Sequence, residues 1–400
     1  MACEQVTLQD VCELIVDCPH TSAKDEGVGY PLIRTPNVGR GRLILADVHR
    51  VSQDVYERRV SRAVPRQGDL ILAREAPAGN VAIVSSGIEV CLGQRTMLLR
   101  PDSSFVVPEY LNYYLNAPEQ RDRMLRLANG ATVSHINVAD IRNMPVQLPS
   151  RGEQSKVAEL LNVLDDKIDL NNRLNDYLEQ LCQSLFDRFD NDENNLFVKV
   201  SDIADVNPRR TLKKGEEALC VEMADLSTTG AFPTDWRTKA YNGGVKFVNG
   251  DTILARITPC LENGKAGYIN FLEQDEVAFG STEYIVLTSK GELPSEFFYF
   301  LARNEDFISY ATAHMNGSSG RQRVSGADVG NYEVRMPSEK QVSEFKEIAG
   351  KAMRVISASS IESRKLAQSR DALLPKLMSG EIDVSEVDLT QPTNNHLTDC

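Results

Sequence analysis

The 400-residue chain lacks long apolar runs. No stretch approaches 18 consecutive apolar residues, and its start, Met1-Ala2-Cys3-Glu4-Gln5, has neither a basic region nor an apolar one. A membrane-spanning or signal-directed secreted protein is therefore not expected. Metal-binding patterns are missing too. The eight cysteines (Cys3, Cys12, Cys18, Cys91, Cys182, Cys220, Cys260, Cys400) stand singly, without a Cys-x-x-Cys pair or a histidine at finger spacing. No zinc site is expected, and single thiols read as small buried hydrophobes of a reducing cytoplasm.

Catalytic motifs are equally absent. There is no Gly-x-Gly-x-x-Gly after a strand, no phosphate-binding Gly-x-x-x-x-Gly-Lys-Ser/Thr loop, no Gly-x-Ser-x-Gly elbow and no His-Glu-x-x-His pair. Asn207-Pro208-Arg209-Arg210 approaches the amino-methyltransferase Asn-Pro-Pro-aromatic motif but lacks the second proline and the aromatic. The five histidines are dispersed, and the pair Asp165-Asp166 falls on an acidic helix, where a solvated face is the better reading. Nor is there a basic surplus: the formal net charge is −13, which at first sight argues against a nucleic-acid partner.

What is present is a repeat. Gly68-Asp69-Leu70-Ile71-Leu72-Ala73-Arg74 returns as Gly250-Asp251-Thr252-Ile253-Leu254-Ala255-Arg256, six of seven positions identical. Further echoes follow in the same order: Leu8–Val11 with Val200–Ile203, Pro108 with Pro294, Asn129-Gly130 with Asn316-Gly317, Pro149-Ser150 with Pro337-Ser338, and Gln154 with Gln341. A collinear series of this kind marks a tandem duplication.

Each half opens with a mixed region of short β-type runs (Asp69–Ala73, Val81–Val84, Met97–Leu99; Asp251–Ala255, Tyr284–Leu287). A short helical piece follows, Pro108–Leu115 or Pro294–Leu301, then a polar loop. Each closes with a long helix, near Gly152–Phe189 and Glu339–Met378, where Pro375 is expected to kink or end the second. The apolar stripes are Leu161, Leu164, Ile168, Leu178, Leu181 and Leu185, interrupted by Asn171 and Asn175, and Phe345, Ile348, Ala352, Val355, Leu366 and Leu373. Helices of roughly 57 Å outrun a single domain. The expectation is that they pack on each other as an antiparallel, pseudo-twofold coiled coil, with a buried Asn fixing register. The expected fold class is α+β. It comprises mixed domains at 1–150 and 196–337, long helices at 151–195 (with the linker 191–195) and 338–384, and a loosely ordered tail at 385–400.

Charge counted by segment changes the first impression. Residues 1–150 carry 16 basic and 17 acidic residues, and 15 of the 16 are Arg. Residues 151–195 carry 5 against 11, residues 196–337 carry 15 against 19, and residues 338–400 carry 8 against 10. Almost half of the acidic excess therefore sits on one helix and its linker. Arg suits phosphates and guanine edges, although a GC-rich coding sequence yields the same excess.

This layout resembles the specificity subunit of type I restriction–modification enzymes. The most specific carriers are Pro149-Ser150-Arg151-Gly152-Glu153-Gln154 at the first helix start and Leu373-Leu374-Pro375-Lys376-Leu377-Met378-Ser379-Gly380-Glu381-Ile382 at the close. The Gly-Asp-x-Ile/Leu-Leu-Ala-Arg strand and the Asn-Gly-Ala/Ser-Thr/Ser loop support them. The second helix start departs, with Lys340-Gln341 in place of Glu-Gln.

The resemblance implies two target-recognition domains, each reading half of a bipartite sequence in double-stranded DNA, on helices that set the spacer. It implies no catalysis in this chain, which would dock two methyltransferase subunits, with a restriction (nuclease–translocase) subunit able to join. S-adenosylmethionine is expected on the methyltransferase, with no cofactor and no metal held here. The expected DNA-contacting residues are polar loop positions matching between halves: Arg74, Arg95, Thr96, Thr132, Ser134 and His135, and Arg256, Ser281, Thr282, Ser319, Arg321, Gln322 and Arg323. A self-sufficient methyltransferase or restriction enzyme, or a coiled-coil scaffold, are the alternative readings.

Overall fold

The computed structural model describes residues 4–128, 135–190, 192–318 and 320–384; the tail expected to be loosely ordered lies outside them. The chain forms two compact units, Met1–Asp165 with Gln368–Cys400, and Asp166–Ala367. Each unit thus takes one mixed region and part of both long helices, Arg151–Asp190 and Glu339–Ser379. Among the described residues no helix is long and apolar enough to cross a membrane.

In the first unit a five-stranded sheet runs Cys12–Asp17, Thr96–Pro101, Leu70–Ala73, Val81–Ile83, Gly41–Arg42. Its centre, Leu70–Ala73, pairs antiparallel on both sides (Leu70↔Leu99, Leu70↔Ile83). In the second unit Thr252–Ala255 is flanked in the same way by Tyr284–Ser289 and Ala266–Tyr268 (Thr252↔Leu287, Thr252↔Tyr268). Both central strands are buried throughout, which is why they read as continuous apolar runs and not as alternating ones. Each unit adds a smaller sheet containing one parallel pairing, Leu32↔Cys91 or Cys220↔Phe279.

The echoing Gly-Asp has a structural reason. Gly68 and Gly250 adopt φ +85° and +88°, a region that favours glycine. The buried carboxylates that follow brace their own turns, accepting from the Arg66 N–H (2.8 Å to Asp69) and the Val248 N–H (2.8 Å to Asp251). Each also takes a guanidinium: Arg100 donates to both oxygens of Asp69 at 2.8 and 2.7 Å, and Arg210 to both oxygens of Asp251 at 2.5 Å. A buried carboxylate is tolerable only when paired in this way.

Both long helices start in a capping box. Ser150 Oγ donates to Glu153 Oε2 at 2.7 Å, and the Ser338 N–H donates to Gln341 Oε1 at 2.8 Å. Gln341 therefore stands where Glu153 stands, not where Gln154 does, and the apparent departure at Lys340-Gln341 keeps the same cap. Pro375 does not end its helix, which runs on to Ser379. It lies in the last turn and on the exposed face, where only one backbone bond is lost.

In the second unit the two helices run antiparallel, with Arg188 against Glu344, Asn175 against Ser360 and Lys167 against Glu362. The expected buried Asn is there: Asn171 Nδ2 donates to Glu362 Oε2 (2.8 Å) and to Ser363 Oγ (3.2 Å). Two seam assignments are corrected. Leu181 and Val355 are exposed, and their neighbours Cys182 and Ile356 face the core with Leu185, Phe186, Phe189, Phe345 and Ala352. Counted in alternating steps of three and four through Asn171 and Asn175, Leu178 is followed by Cys182, Leu185 and Phe189, so the seam keeps its phase and Leu181 falls beside it. Leu178 and Ile348 pack at the edge of this core, while Leu164, Ile168 and Leu366 are half-buried. In the first unit Leu161 and Leu374 are in the core, with Leu373 packed against it.

Candidate nucleic-acid interface

In each unit the central strand ends at the arginine of the repeated motif, and three chain segments meet there. In the first, the Arg74 N–H donates to the Arg95 carbonyl (2.8 Å), the Arg74 carbonyl accepts from the Ile136 N–H (3.2 Å), and Glu75 bridges His135. In the second, the Arg256 N–H donates to the Glu283 carbonyl (3.0 Å), the Arg256 carbonyl accepts from Val324 (3.0 Å), and Ile257 bridges Arg323. Arg95 thus corresponds to Glu283, and His135 to Arg323. The loops selected by repeat matching are brought to one edge in both units.

The two edges carry different side chains. In the first, Glu75 holds Arg95 Nε at 3.0 Å, and Arg95 is half exposed with φ +66°. In the second, Glu283 holds Arg323. Hydrogen bonds from Arg323 keep the Glu283 carboxyl below its usual range, with Arg256 adding to the effect. Gln322 presents its carbonyl to the Thr258 N–H (3.1 Å), and Arg321 is exposed. Ser281 forms the turn before the strand, accepting from the Glu283 N–H at 3.1 Å, and Thr282 is exposed.

Two expected contact residues are turned inward. Arg74 is 9% exposed, with Nη1 2.6 Å from Asp17 and Nε 2.9 Å from the Ile136 carbonyl. Thr96 is fully buried and donates to the Gly93 carbonyl at 3.0 Å. Both brace the edge and offer nothing to a ligand. Thr132, Ser134 and Ser319 lie outside the described residues.

Sequence reading missed His20 and Arg209, both exposed just beyond the first strand of each main sheet. Their signal was the pair Pro19-His20 and Pro208-Arg209, at the spacing of the other echoes. Asn207 is a structural residue: its backbone takes φ +55° and its Oδ1 accepts from the Val286 N–H at 3.0 Å. Among the described residues no three metal-ligating side chains converge.

The sequence profile described as the type I restriction modification DNA specificity domain matches residues 2–180. The chain is 20% identical over 399 residues to the type I restriction enzyme HindI specificity subunit of Haemophilus influenzae, covering 79% of this chain and 87% of that protein. It is 22% identical over 380 residues to the MjaIX specificity subunit of Methanocaldococcus jannaschii, covering 85% and 84%. In fold it is similar to the crystal structure of a type I restriction–modification S subunit from M. genitalium, with a TM-score of 0.57 at 16% identity, over 94% of this chain and 96% of that one. With a duplicated plan, paired long helices and a matching loop edge in each unit, the chain is similar over most of its length to specificity subunits of type I restriction–modification enzymes, and its residues 2–180 match their DNA specificity domain.

Proposed function

We propose that each unit reads one half of a bipartite target in double-stranded DNA through the edge where its three segments meet. The observation that carries this reading is the pairing of one backbone plan with two different sets of side chains, Glu75, Arg95 and His135 against Glu283, Arg321, Gln322 and Arg323. Different half-sites require that combination. Arg can pair bidentately with guanine and Gln with adenine in the major groove, whereas the ion pairs fix the side chains that surround them.

The chain docks two methyltransferase subunits, which bind S-adenosylmethionine, and a restriction subunit joins them for cleavage. Support for helix docking comes from the central helix. Leu170, Leu174, Tyr177 and Leu181 are 61%, 42%, 70% and 50% exposed at spacings of four, three and four residues, an unpartnered stripe of heptad type. The acidic excess of 151–195 suits a partner helix with basic flanks. The six described cysteines are free thiols, in keeping with action in the cytoplasm.

Methylome sequencing of cells co-expressing the chain with its neighbouring methyltransferase tests the reading: a two-part adenine-methylated motif with a fixed spacer is expected. Methyl transfer from labelled S-adenosylmethionine by the purified chain alone would instead make it a self-sufficient enzyme. Absence of DNA binding with the partners present would leave a scaffold.

A further inference from the structure

The second recognition unit contains a cleft of about 540 Å³ whose lining includes four cationic side chains, Arg209, Arg210, Lys246 and Arg256, and no carboxylate. Arg210 is committed to the buried Asp251 and to Thr288. The other three form no salt bridge among the described residues. Lys246 lies 4.9 Å over the Tyr241 ring, and that ring packs edge-on against Phe279 (5.2 Å between centroids), so the ammonium is positioned by an aromatic and not neutralised. Arg256 Nε is covered and has no acceptor. The carboxylate of Glu283 is already occupied by Arg323 through three contacts.

This arrangement is unusual for a segment with four more acidic than basic residues between 196 and 337. Gathering cations that lack counter-charges costs Coulomb energy in the free protein, and a covered guanidinium donor without an acceptor adds to that cost. An anion in the cleft would supply the missing counter-charge. The cleft opens beside Thr282 and contains the side chain of Arg256, whose backbone joins the edge described above.

We propose that the Arg209–Lys246–Arg256 cleft seats a phosphate of the DNA backbone and so sets the register of the second unit on its half-site. The proposal rests on the DNA-reading function and adds to it a fixed point that carries no base information itself, since phosphate contacts position and base contacts specify. Of the three cations only Arg256 was selected from sequence. Arg209 and Lys246 come from segments 37 residues apart that share no repeat-matched loop.

The test uses the full chain and a fluorescently labelled random duplex of about 40 base pairs, with affinity measured by anisotropy along a potassium chloride series. The double variant Arg209→Ala/Lys246→Ala is expected to bind about 10- to 100-fold more weakly at low salt, and its plot of log affinity against log salt should be shallower by about two. Arg256→Gln should flatten it by about one more. Lys346→Ala, which removes an exposed cation from the closing helix, should leave the slope at the wild-type value. The variants' melting temperatures establish that each is folded, and Arg209→Gln/Lys246→Gln replaces the alanine pair if that pair melts early. An unchanged slope in a folded double variant overturns the phosphate seat while leaving DNA reading in place. An equal loss in Lys346→Ala overturns it in favour of diffuse attraction. Failure of the wild-type chain to bind duplex at low salt overturns the seat and the reading together.

Discussion

Arg323 is clasped by Glu283, with Nε 3.0 and 2.9 Å from the two carboxylate oxygens and Nη2 2.7 Å from one of them. Arg321, two residues earlier, has an exposed guanidinium with no protein partner among the described residues. The two arginines of one short loop therefore differ in kind: one holds the loop, and the other is available to a ligand.

Arg321→Ala should accordingly weaken target binding by about 1–3 kcal/mol and relax one base position. The methylated motif and the affinity for its duplex are the readouts. If both stay as in the wild type, Arg321 reads no base.

Tyr113 and Tyr299 occupy matching places in the two halves, and each donates its hydroxyl to a carboxylate of the central helix, Asp165 at 2.6 Å and Glu179. Burial raises the Glu179 carboxyl above 4.5, opposed by the Tyr299 hydrogen bond. A carboxyl raised in the folded state contributes stability that is complete below its unfolded value and is lost as pH rises through the folded one. Glu179→Gln keeps an acceptor for Tyr299 but cannot ionise. Its melting temperature should gain on the wild type as pH rises from about 4 to about 8. A constant difference across that range would mean that Glu179 does not titrate there.

Asp165 is also held by Arg370, whose Nη1 stands 2.7 Å away. Arg370→Met leaves a buried carboxylate without its counter-charge and should cost about 3 kcal/mol in urea unfolding. The double variant Arg370→Met/Asp165→Asn should recover most of that loss, because the stranded charge is gone. Additive losses would show that the pair is not coupled.

The exposed stripe on the central helix, proposed above as a docking surface, allows folding and assembly to be tested separately. Leu174→Glu/Tyr177→Glu should leave stability within about 0.5 kcal/mol, as exposed substitutions do, yet abolish co-purification with the neighbouring methyltransferase. Retained co-purification would move the docking surface elsewhere.

Local signals of fixed spacing were legible in the sequence. The Gly-Asp turns, the buried central strands and both capped helices appear where the repeat places them, because each depends on residues within a few positions of one another. Two positions of the helix seam were not. Apolar character alone favours Leu181 over Cys182 and leaves Val355 and Ile356 alike, although the core takes Cys182 and Ile356. The packing of Phe186, Phe189 and Phe345 in one core decided both.

The sequence by itself determined the duplication, the mixed-domain-plus-helix plan and the loops that gather at one edge of each unit. Those follow from periodicity, turn chemistry and repeat spacing, all readable along one chain. Only the tertiary structure decided which polar side chains are exposed and which are turned inward. Arg74 turns inward because Asp17, 57 positions away, offers a half-buried carboxylate, whereas Arg209 and Lys246 form no salt bridge among the described residues, their cleft having no carboxylate in its lining. A charged side chain's direction is set by the partner that the fold brings to it, and that partner is distant in sequence.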